Sequence, residues 1–483
     1  MSVNAPPVGE APAGVFHRFG WALPVLVTAV VVRYQAARPQ LWRDELATWW
    51  ASTRSPAGLD RLTSHIDAVF VPYYRFMHVW TELFGDSTLS LRTPSMIAVV
   101  ATAGVVAVLG RVLGSPVAGV LGGLLFAALP STSRYGQEAR PYALAALAAT
   151  TATLLLLLAL RHRKWWYWVG YAVALGLAGA LHMIALLILA GHLVAVVWAA
   201  VADRTWRPLF WAGGAVVAAV APIVPIVLRG HRQVGLQLGN RVLRPDAFAM
   251  GRLPEGIVGG AAIGGAVLAL ALAGALLNGR IGARFGLMTL APVAAFLVAA
   301  QVAPIYTLRY VFFLAAPAAL LAGLALSKFR VPAAVVVILL LAFLGLRDQD
   351  TARRSHESPG SIPIDYRHAA SIVAAHRQPG DAIVYHRSGW QFADLGLEYY
   401  LRGDTPADAL AAGSRDAAGS YWTPEVTDPA TALAGLKRVW WVDPVNLGSH
   451  QFDQPPASIL GDHYREIGAW RTSGFQVRLY ERP

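Results

Sequence analysis

The sequence predicts an α-helical polytopic membrane protein, and three observations support this fold class. Hydrophobic residues make up 56% of the 483 residues and charged residues only 14%, which is too apolar for a soluble globular protein. The mean hydropathy of the chain is +0.47. The apolar residues also lie in runs of the length that a hydrocarbon core of about 30 Å requires, roughly 20 residues of helix.

Eleven such runs follow one another, and we expect each of them to form a transmembrane helix. They lie near residues 16–36, 93–110, 116–133, 141–160, 165–181, 183–202, 208–228, 254–278, 284–303, 309–326 and 331–346. The Pro- and Ala-rich residues 1–15 are predicted to be a disordered tail. We therefore assign residues 16–346 to a transmembrane domain.

The short loops between the runs predict the orientation, because arginine and lysine accumulate on the cytoplasmic side of a membrane. In one alternate set of loops, Asp203 is the only acidic residue. The basic residues of that set are Arg111, Arg161, Arg163, Lys164, Arg204, Arg207, Arg280, Arg284, Lys328 and Arg330. We expect this set and the N terminus to be cytoplasmic, and the loop 37–92 and the C terminus to lie outside the cytoplasmic membrane.

Polar and charged residues return after residue 346, and residues 347–483 are predicted to form a small extracytoplasmic α/β domain. Helical spacing covers Asp365 to His376, and strand-like runs cover 382–385, 438–442 and 475–480. The chain has no cysteine, which excludes disulfides, thiolate metal sites and cysteine nucleophiles.

The outward loop 37–92 contains two adjacent carboxylates, Asp44 and Glu45, between tryptophans. A carboxylate near a bilayer is costly, so the pair is a candidate for chemistry or ion handling. Helix capping is the alternative, because carboxylates also favour helix N termini. His65 and Asp67 follow in the same loop, and such an isolated pair is more typical of a hydrogen bond than of a metal site.

A second outward loop, 134–140, holds a compact polar group directly before Pro141. Proline is tolerated in the first turn of a helix, so we expect the next helix to begin there. The polar residues of this loop and helix start are Arg134, Gln137, Glu138, Arg140 and Tyr142. Arg140 either binds a ligand or pairs with Glu138 to close the loop.

Five features of the sequence carry a resemblance to a known family. They are the acidic pair, the stretch Asp67 to Tyr74 that ends Pro-Tyr-Tyr, Phe84-Gly85 followed by Leu91-Arg92, the loop Tyr135 to Tyr142, and Leu308-Arg309-Tyr310. Together they resemble the GT-C membrane glycosyltransferases over about residues 15–330. More narrowly, they resemble the family 39 type, which includes protein O-mannosyltransferases and bacterial enzymes that modify lipids and envelope glycans. Many relatives carry His-Pro-Pro before the paired tyrosines, and this chain lacks that motif, a departure that concerns the acceptor.

The resemblance implies transfer of a sugar, most often mannose, from a polyprenyl-phosphate donor to an envelope glycan, lipid or protein. An outward-facing enzyme needs such a donor, because nucleotide sugars are charged, cytoplasmic and unable to cross the bilayer. Since the phosphate leaves as a stable anion, one base suffices, whereas glycoside hydrolases need two carboxylates. We expect Asp44 to be that base, with Glu45 positioning Asp44 or the acceptor. No cofactor is implied, and dependence on a divalent metal stays open.

The released phosphate requires cations, and the planar fork of arginine fits phosphate oxygens. The candidates are Arg92, Arg140 and Arg309. Arg92 and Arg309 also lie at span ends, where arginines commonly extend toward the interface without binding a ligand. The other candidates for binding donor or acceptor are His65, Asp67, Tyr73, Tyr74, Arg134, Gln137, Glu138, Tyr142 and Tyr310.

Two other classes of protein fit the composition: a transporter or flippase of lipid-linked sugars, and an accessory subunit without catalysis. A transporter typically binds its substrate near the midplane in broken helices, whereas these runs carry few charges. An accessory subunit without catalysis does not explain the presence of Asp44. The basic residues form short clusters rather than one stripe, which argues against nucleic acid. The expected partners are therefore the donor, the acceptor and membrane lipids.

Overall fold

The computed structural model describes residues 19–238, 244–357, 363–387, 391–445 and 455–483. The predicted disordered tail, residues 1–15, lies outside the described residues. The first apolar helix and the loop that follows it contain α1 (Ala22–Arg33), α2 (Arg43–Ser52), α3 (Pro56–His65), a 3-10 turn (Ala68–Phe70) and α4 (Val71–Phe84).

The remaining helices of the membrane region form the bulk of the molecule. They are α5 (Thr88–Val112), α6 (Pro116–Ala128), α7 (Pro130–Gly136), α8 (Tyr142–His162), α9 (Trp165–Leu181), α10 (Ile188–Ala202), α11 (Arg207–Val220), α12 (Val224–Leu238), α13 (Ala247–Gly251), α14 (Leu253–Val258), α15 (Ala261–Leu277), α16 (Gly279–Val302), α17 (Ala315–Leu326), α18 (Val331–Leu344) and α19 (Leu346–Arg354). Three 3-10 segments precede or join them: Met183–Leu187, Ala221–Ile223 and Leu308–Leu314.

Every predicted apolar run coincides with apolar helix. Among the residues that the structure describes, six continuous helical segments are long and apolar enough to cross a membrane, and the number rises to eight if each of two bent helix pairs is one span. Three shorter apolar helices, α1, α9 and α15, account for the other runs. The chain is therefore a multi-pass membrane protein, as its composition predicted.

Close helix packing in the membrane region depends on small residues. A Cβ atom on Gly119 of α6 would lie 2.4 Å from the carbonyl oxygen of Ala107 in α5. A Cβ atom on Gly323 of α17 would lie 2.3 Å from the carbonyl oxygen of Ala118. Because lipid gives little hydrophobic driving force between helices, such close backbone contact is what stabilises them.

Two bends shape the end of the bundle that carries Asp44. The axes of α6 and α7 differ by 66°, and those of α18 and α19 differ by 44°. The two short segments beyond the bends contact each other: Ser133 Oγ donates to Gln349 Oε1 at 3.1 Å, and Arg353 Nη2 donates to Ser133 Oγ at 3.2 Å. Residues 347–354 belong to the predicted α/β domain, whereas these contacts attach α19 to the membrane helices.

The C-terminal region is a small α/β domain, as predicted. Its elements are α20 (Tyr366–His376), β1 (Ala382–Tyr385), α21 (Ala393–Leu401), β2 (Ala407–Asp408), α22 (Arg415–Ala418), α23 (Pro429–Leu433), β3 (Arg438–Pro444), α24 (Pro455–His463), β4 (Arg465–Arg471) and β5 (Phe475–Glu481). The five strands form one sheet in the order β2-β1-β3-β5-β4, with β1 parallel to β2 and β3, and β5 antiparallel to β3 and β4.

The α/β domain and the loop 37–92 share one hydrophobic core. The rings of Trp49 and Tyr399 lie 5.1 Å apart in an edge-to-face contact, a geometry that aromatic pairs favour. The backbone N–H of Leu41 also donates to the Tyr400 hydroxyl at 2.8 Å. The loop and the domain therefore lie on the same side of the helix bundle.

Candidate active site

The two adjacent carboxylates lie in the first turn of α2. The N-cap residue of this helix is Trp42, and it makes no side-chain capping hydrogen bond. Asp44 and Glu45 leave the helix in different directions, and their partners differ. The two carboxylates therefore have different environments.

Glu45 is fully buried and has a complete set of partners. Its two oxygens accept from Nε and Nη2 of Arg92 at 2.8 and 2.7 Å, a bidentate ion pair. The backbone N–H of Ala139 donates to Oε1 at 2.8 Å, and Nδ1 of His356 lies 3.2 Å from Oε2. Although burial opposes ionisation, the charge and hydrogen bonds of Arg92 hold the pKa of Glu45 well below its usual range.

His356 completes this network as a neutral imidazole. Burial, together with the guanidinium groups of Arg134 and Arg92, lowers the pKa of His356 to about 3. At neutral pH its Nδ1–H therefore donates to Glu45 without adding a charge. The residue follows α19, so the network joins the loop 37–92 to the end of the membrane domain.

Arg92 does not match its predicted role as a ligand of the donor phosphate. In addition to Glu45, the guanidinium donates to the carbonyl oxygens of Ala36 at 2.8 Å, Pro39 at 2.9 Å and Gln40 at 3.1 Å. These contacts use all five of its N–H groups, and the side chain is fully buried. Arg92 therefore fixes the path of the loop, because no donor is left for a phosphate.

Asp44 is held much less tightly. Its Oδ2 atom lies 3.4 Å from Nη2 of Arg309, and its Oδ1 atom lies 3.9 Å from Nε of Arg43. The side chain is 19% exposed, yet Oδ2 is inaccessible and accepts no hydrogen bond from any described residue. A charged oxygen with an unfilled lone pair is suited to accept a proton from a bound hydroxyl.

Arg309 pairs with this carboxylate, Arg140 lies 3.5 Å from the backbone carbonyl oxygen of Asp44, and both arginines retain unused donors. The Nε atoms of both side chains are buried and have no acceptor among the described residues. Arg309 lies over the ring of Trp42 at 5.6 Å, and Arg140 lies over the ring of Phe70 at 4.3 Å. These aromatic contacts orient the guanidinium planes without occupying their N–H groups. The pair is therefore suited to bind an anion beside Asp44.

Asp67 lies close to Arg140 in a cluster of hydroxyl groups. Its backbone is left-handed, with φ 57°, and its Oδ2 atom accepts from the hydroxyls of Tyr74 and Tyr421, both at 2.9 Å. Burial raises the pKa of Asp67, and the Arg140 guanidinium opposes this rise. Tyr421 belongs to the α/β domain, so the domain contributes a side chain to the wall of the site.

The polar side chains of the loop 134–140 bind neighbouring residues of the protein. Glu138 accepts from Nε1 of Trp42 at 2.9 Å and pairs with Arg134 at 2.8 Å, while Gln137 donates to the carbonyl oxygens of Val32 and Tyr34, both at 2.8 Å. Glu138 therefore pairs with Arg134, and the alternative pairing with Arg140 does not occur.

The aromatic candidates lie behind the charged groups. The rings of Tyr142 and Tyr310 are 6.1 Å apart, and His182 contacts both, with ring centroids 5.2 and 4.7 Å away. The Tyr142 hydroxyl is buried and has no partner among the described residues, whereas Tyr73 is 1% exposed and packs in the shared core.

His65 stands apart from the acidic cluster. Its Nδ1 atom lies 2.9 Å from the carbonyl oxygen of Arg61, at the exposed end of α3. The structure thus does not bring this predicted substrate ligand to Asp44. Within the residues that the structure describes, no three His, Asp or Glu side chains are arranged to hold a metal ion.

Three residues of the site were not singled out from the sequence. His356 and Tyr421 are 311 and 354 positions away from their acidic partners, and no local pattern marks them. Glu357 is partly buried, and its Oε1 atom has no partner among the described residues. Burial and the nearby Asp44 charge, opposed by Arg43, raise the pKa of Glu357 to about 7.

Part of the chain is similar in sequence to a known protein family. The family described as dolichyl-phosphate-mannose-protein mannosyltransferase matches residues 70–228. No curated protein sequence matches the chain.

Solved structures are similar over nearly the whole chain. ArnT from Cupriavidus metallidurans in the apo state has a TM-score of 0.62 at 14% identity, covering 96% of this chain and 98% of that one. The same protein bound to undecaprenyl phosphate has a TM-score of 0.59 at 16% identity, covering 95% and 98%. The Archaeoglobus fulgidus oligosaccharyltransferase in the apo form has a TM-score of 0.51 at 13% identity, covering 97% and 75%. The chain therefore has the GT-C fold, which confirms the resemblance predicted from its sequence.

Proposed function

We propose that this membrane protein is a glycosyltransferase that moves a sugar from a polyprenyl-phosphate donor to an envelope glycan, lipid or protein. The fold, the family match over residues 70–228 and the undecaprenyl phosphate bound to ArnT support this proposal. The family match favours mannose as the sugar. The proposed site of reaction is the extracytoplasmic face of the cytoplasmic membrane, as the loop charges predict.

The observation that carries the proposal is the unfilled oxygen of Asp44 beside Arg309, with Arg140 at the Asp44 backbone carbonyl and unused donors on both arginines. In the proposed reaction, the acceptor hydroxyl attacks the anomeric carbon and its proton passes to Asp44 Oδ2. The bond between the anomeric carbon and the phosphate oxygen breaks, and its electron pair leaves with the polyprenyl phosphate. Attack from the face opposite the phosphate inverts the anomeric configuration.

Arg140 and Arg309 are proposed to bind the phosphate. Charge develops on the phosphate oxygens as the bond breaks, and preorganised donors that face this charge lower the barrier. A guanidinium presents paired N–H groups that match two phosphate oxygens. Because their aromatic neighbours hold both planes in place, the arginines need little reorganisation when the donor binds.

Glu45 and Arg92 are proposed to be positioning residues. The Glu45 carboxylate binds the backbone of Ala139 in the second loop and the Arg92 guanidinium binds three carbonyl groups before α2. These contacts fix where α2 begins, and hence where Asp44 lies relative to Arg140.

The test uses the full-length protein reconstituted in vesicles with envelope membranes from a deletion strain as the acceptor source. Radiolabelled polyprenyl-phosphate mannose is supplied, and the label in the acceptor fraction and the released polyprenyl phosphate are measured. We expect Asp44→Asn to abolish both, because the amide retains size but loses basicity.

Asp60→Asn is the matched control, since Asp60 lies in the same loop, is 60% exposed and pairs only with Arg75 among the described residues. It should transfer sugar as the wild type does. Full transfer by Asp44→Asn would refute the assignment, and movement of the labelled lipid across the vesicle without a new glycosidic bond would favour a transporter instead.

A further inference from the structure

A cavity with several charged residues lies at the opposite end of the membrane helices from Asp44. Its volume is about 550 Å³, and it is bordered by α5, α8, α10 and α16. α5 begins beside the active site, where Arg92 binds Glu45, and its last residue, Val112, lines this cavity. Because 25 residues of helix span about 37 Å, the two sites lie near opposite surfaces of the membrane.

The cavity combines an apolar wall with a basic rim. Its apolar side chains include Leu157, Val194, Phe285 and Met288. The charged residues in the lining are Arg161, Arg163, Arg284 and Asp203. Three arginines against one aspartate leave the cavity with an excess of two positive charges.

The arginines of the rim are not equally occupied. Arg163 is neutralised by Asp203, with 2.6 Å between Nη2 and Oδ2. Among the described residues, Arg161 has only a long hydrogen bond, 3.4 Å, to the carbonyl oxygen of Val112. Arg284 lies over the ring of Trp198 at 4.3 Å, and its buried Nε has no acceptor among the described residues. Two guanidinium groups are thus available for an anion.

An apolar groove adjoins the basic cavity. Its volume is about 440 Å³, and it is lined by Leu193, Val194, Val197, Trp198 and Val201 of α10. Val194 and Trp198 line both spaces, so the basic cavity continues into the groove. A ligand that fills both therefore needs an anionic end and a hydrocarbon end.

We propose that the two spaces together bind a lipid with a negatively charged phosphate headgroup. The phosphate lies between Arg161 and Arg284, and one hydrocarbon chain follows α10 along the groove. Basic pockets between membrane helices are suited to anionic headgroups, and stacking on Trp198 fixes the Arg284 fork toward such a group. The site is separate from the proposed donor site, because it lies at the other end of α5.

The test measures binding of phosphatidylglycerol to the full-length protein by native mass spectrometry, with phosphatidylcholine as the uncharged comparison. We expect phosphatidylglycerol to bind more tightly than phosphatidylcholine. Arg161→Gln with Arg284→Gln should weaken it at least about tenfold, since both charge-assisted contacts to the phosphate are lost. Arg330→Gln, an exposed arginine outside the cavity, and Asp44→Asn at the other end should leave binding unchanged.

A second variant tests the groove independently of charge. Val197→Trp should fill the groove and weaken phosphatidylglycerol binding, because Val197 is 42% exposed and the larger ring can enter without disturbing the core. Equal binding by the wild type and the double arginine variant would refute the proposal. Inorganic phosphate that competes as effectively as the lipid would also refute it, since the groove would then contribute nothing.

Discussion

Asp44 and Glu45 are neighbours in one helix turn, yet they differ in burial and in their hydrogen-bond partners. Glu45 is inaccessible and has four hydrogen-bond contacts, whereas Asp44 has a buried oxygen without a hydrogen bond. A buried charge whose partners are complete is a structural element. A charge whose partners are incomplete is available for chemistry, so the comparison separates a positioning residue from a proposed catalytic one.

The largest expected effect is the loss of sugar transfer when Asp44 is replaced. Asp44→Asn should lower sugar transfer by about 10²–10⁴-fold, the usual contribution of a general base. Its thermal unfolding should resemble that of the wild type, because Asp44 has few contacts to lose. Transfer of labelled sugar and the midpoint of thermal unfolding are measured on the same preparation. A variant that fails to fold would contradict the assignment of Asp44 as the base.

Glu45→Gln should show the reverse pattern, with stability as the main loss. Removing one charge of a buried pair leaves the Arg92 guanidinium uncompensated, which costs about 3–5 kcal/mol. Thermal unfolding in detergent measures this loss. The double variant Glu45→Leu with Arg92→Met removes both charges but leaves three buried carbonyl groups and the Ala139 N–H without their partners, so it should recover only part of the stability. A fully stable Glu45→Gln would show that the network is not structural.

The arginine beside Asp44 should affect catalysis more than folding. Arg309→Gln should lower the transfer rate about 10²–10³-fold, as loss of a donor that faces a developing anion does. Arg309→Lys keeps the charge without the fork and should recover only part of the rate. Arg43→Gln, 36% exposed on the other side of Asp44, is the control and should retain most activity.

The pH dependence of transfer should distinguish Glu357 from both carboxylates of α2. With its pKa raised to about 7, Glu357 is neutral below that pH and ionises as the pH rises. The new negative charge beside Asp44 then repels the donor phosphate, so the rate should fall above about pH 7. Glu357→Gln should remove this decline. If the variant shows the same pH–rate profile as the wild type, Glu357 does not cause the decline.

The smallest effect is expected at the contact between the two domains. Tyr421→Phe removes one hydrogen bond to Asp67 and should cost about 1 kcal/mol. We expect a several-fold higher KM for the acceptor with little change in kcat, because Tyr421 is buried behind Asp67, orients that carboxylate and contacts none of the proposed reacting groups. Tyr400→Phe, which removes a hydroxyl bond to Leu41 in the same interface, is the comparison and should leave KM unchanged.

The sequence predicted the class of fold and the position of the acidic pair, because both depend on local patterns. Apolar runs near 20 residues require membrane helices, and the Asp44-Glu45 pair is visible without any tertiary contact. The sequence could not show which arginine was already occupied. Arg92 and Arg309 look equivalent at span ends, and only the fold places Glu45 and three carbonyl groups around Arg92.

The bends and the long-range partners were also beyond a local pattern. Pro130 follows an apolar run that reads as one span, but the 66° turn depends on the packing of α7 against α19. Proline permits a helix to end there without dictating the angle. His356 reaches Glu45 only because α19 is bent back toward the second loop, a consequence of the whole topology.

The shared core of loop 37–92 and the α/β domain also sets an order of events during synthesis. Trp49 is made 350 residues before its partner Tyr399. At about 5–20 residues per second, the aromatic face of the loop stays uncovered for roughly 20–70 s. During that interval the bilayer surface or a chaperone can shield it, because the α/β domain that covers it has not yet been synthesised.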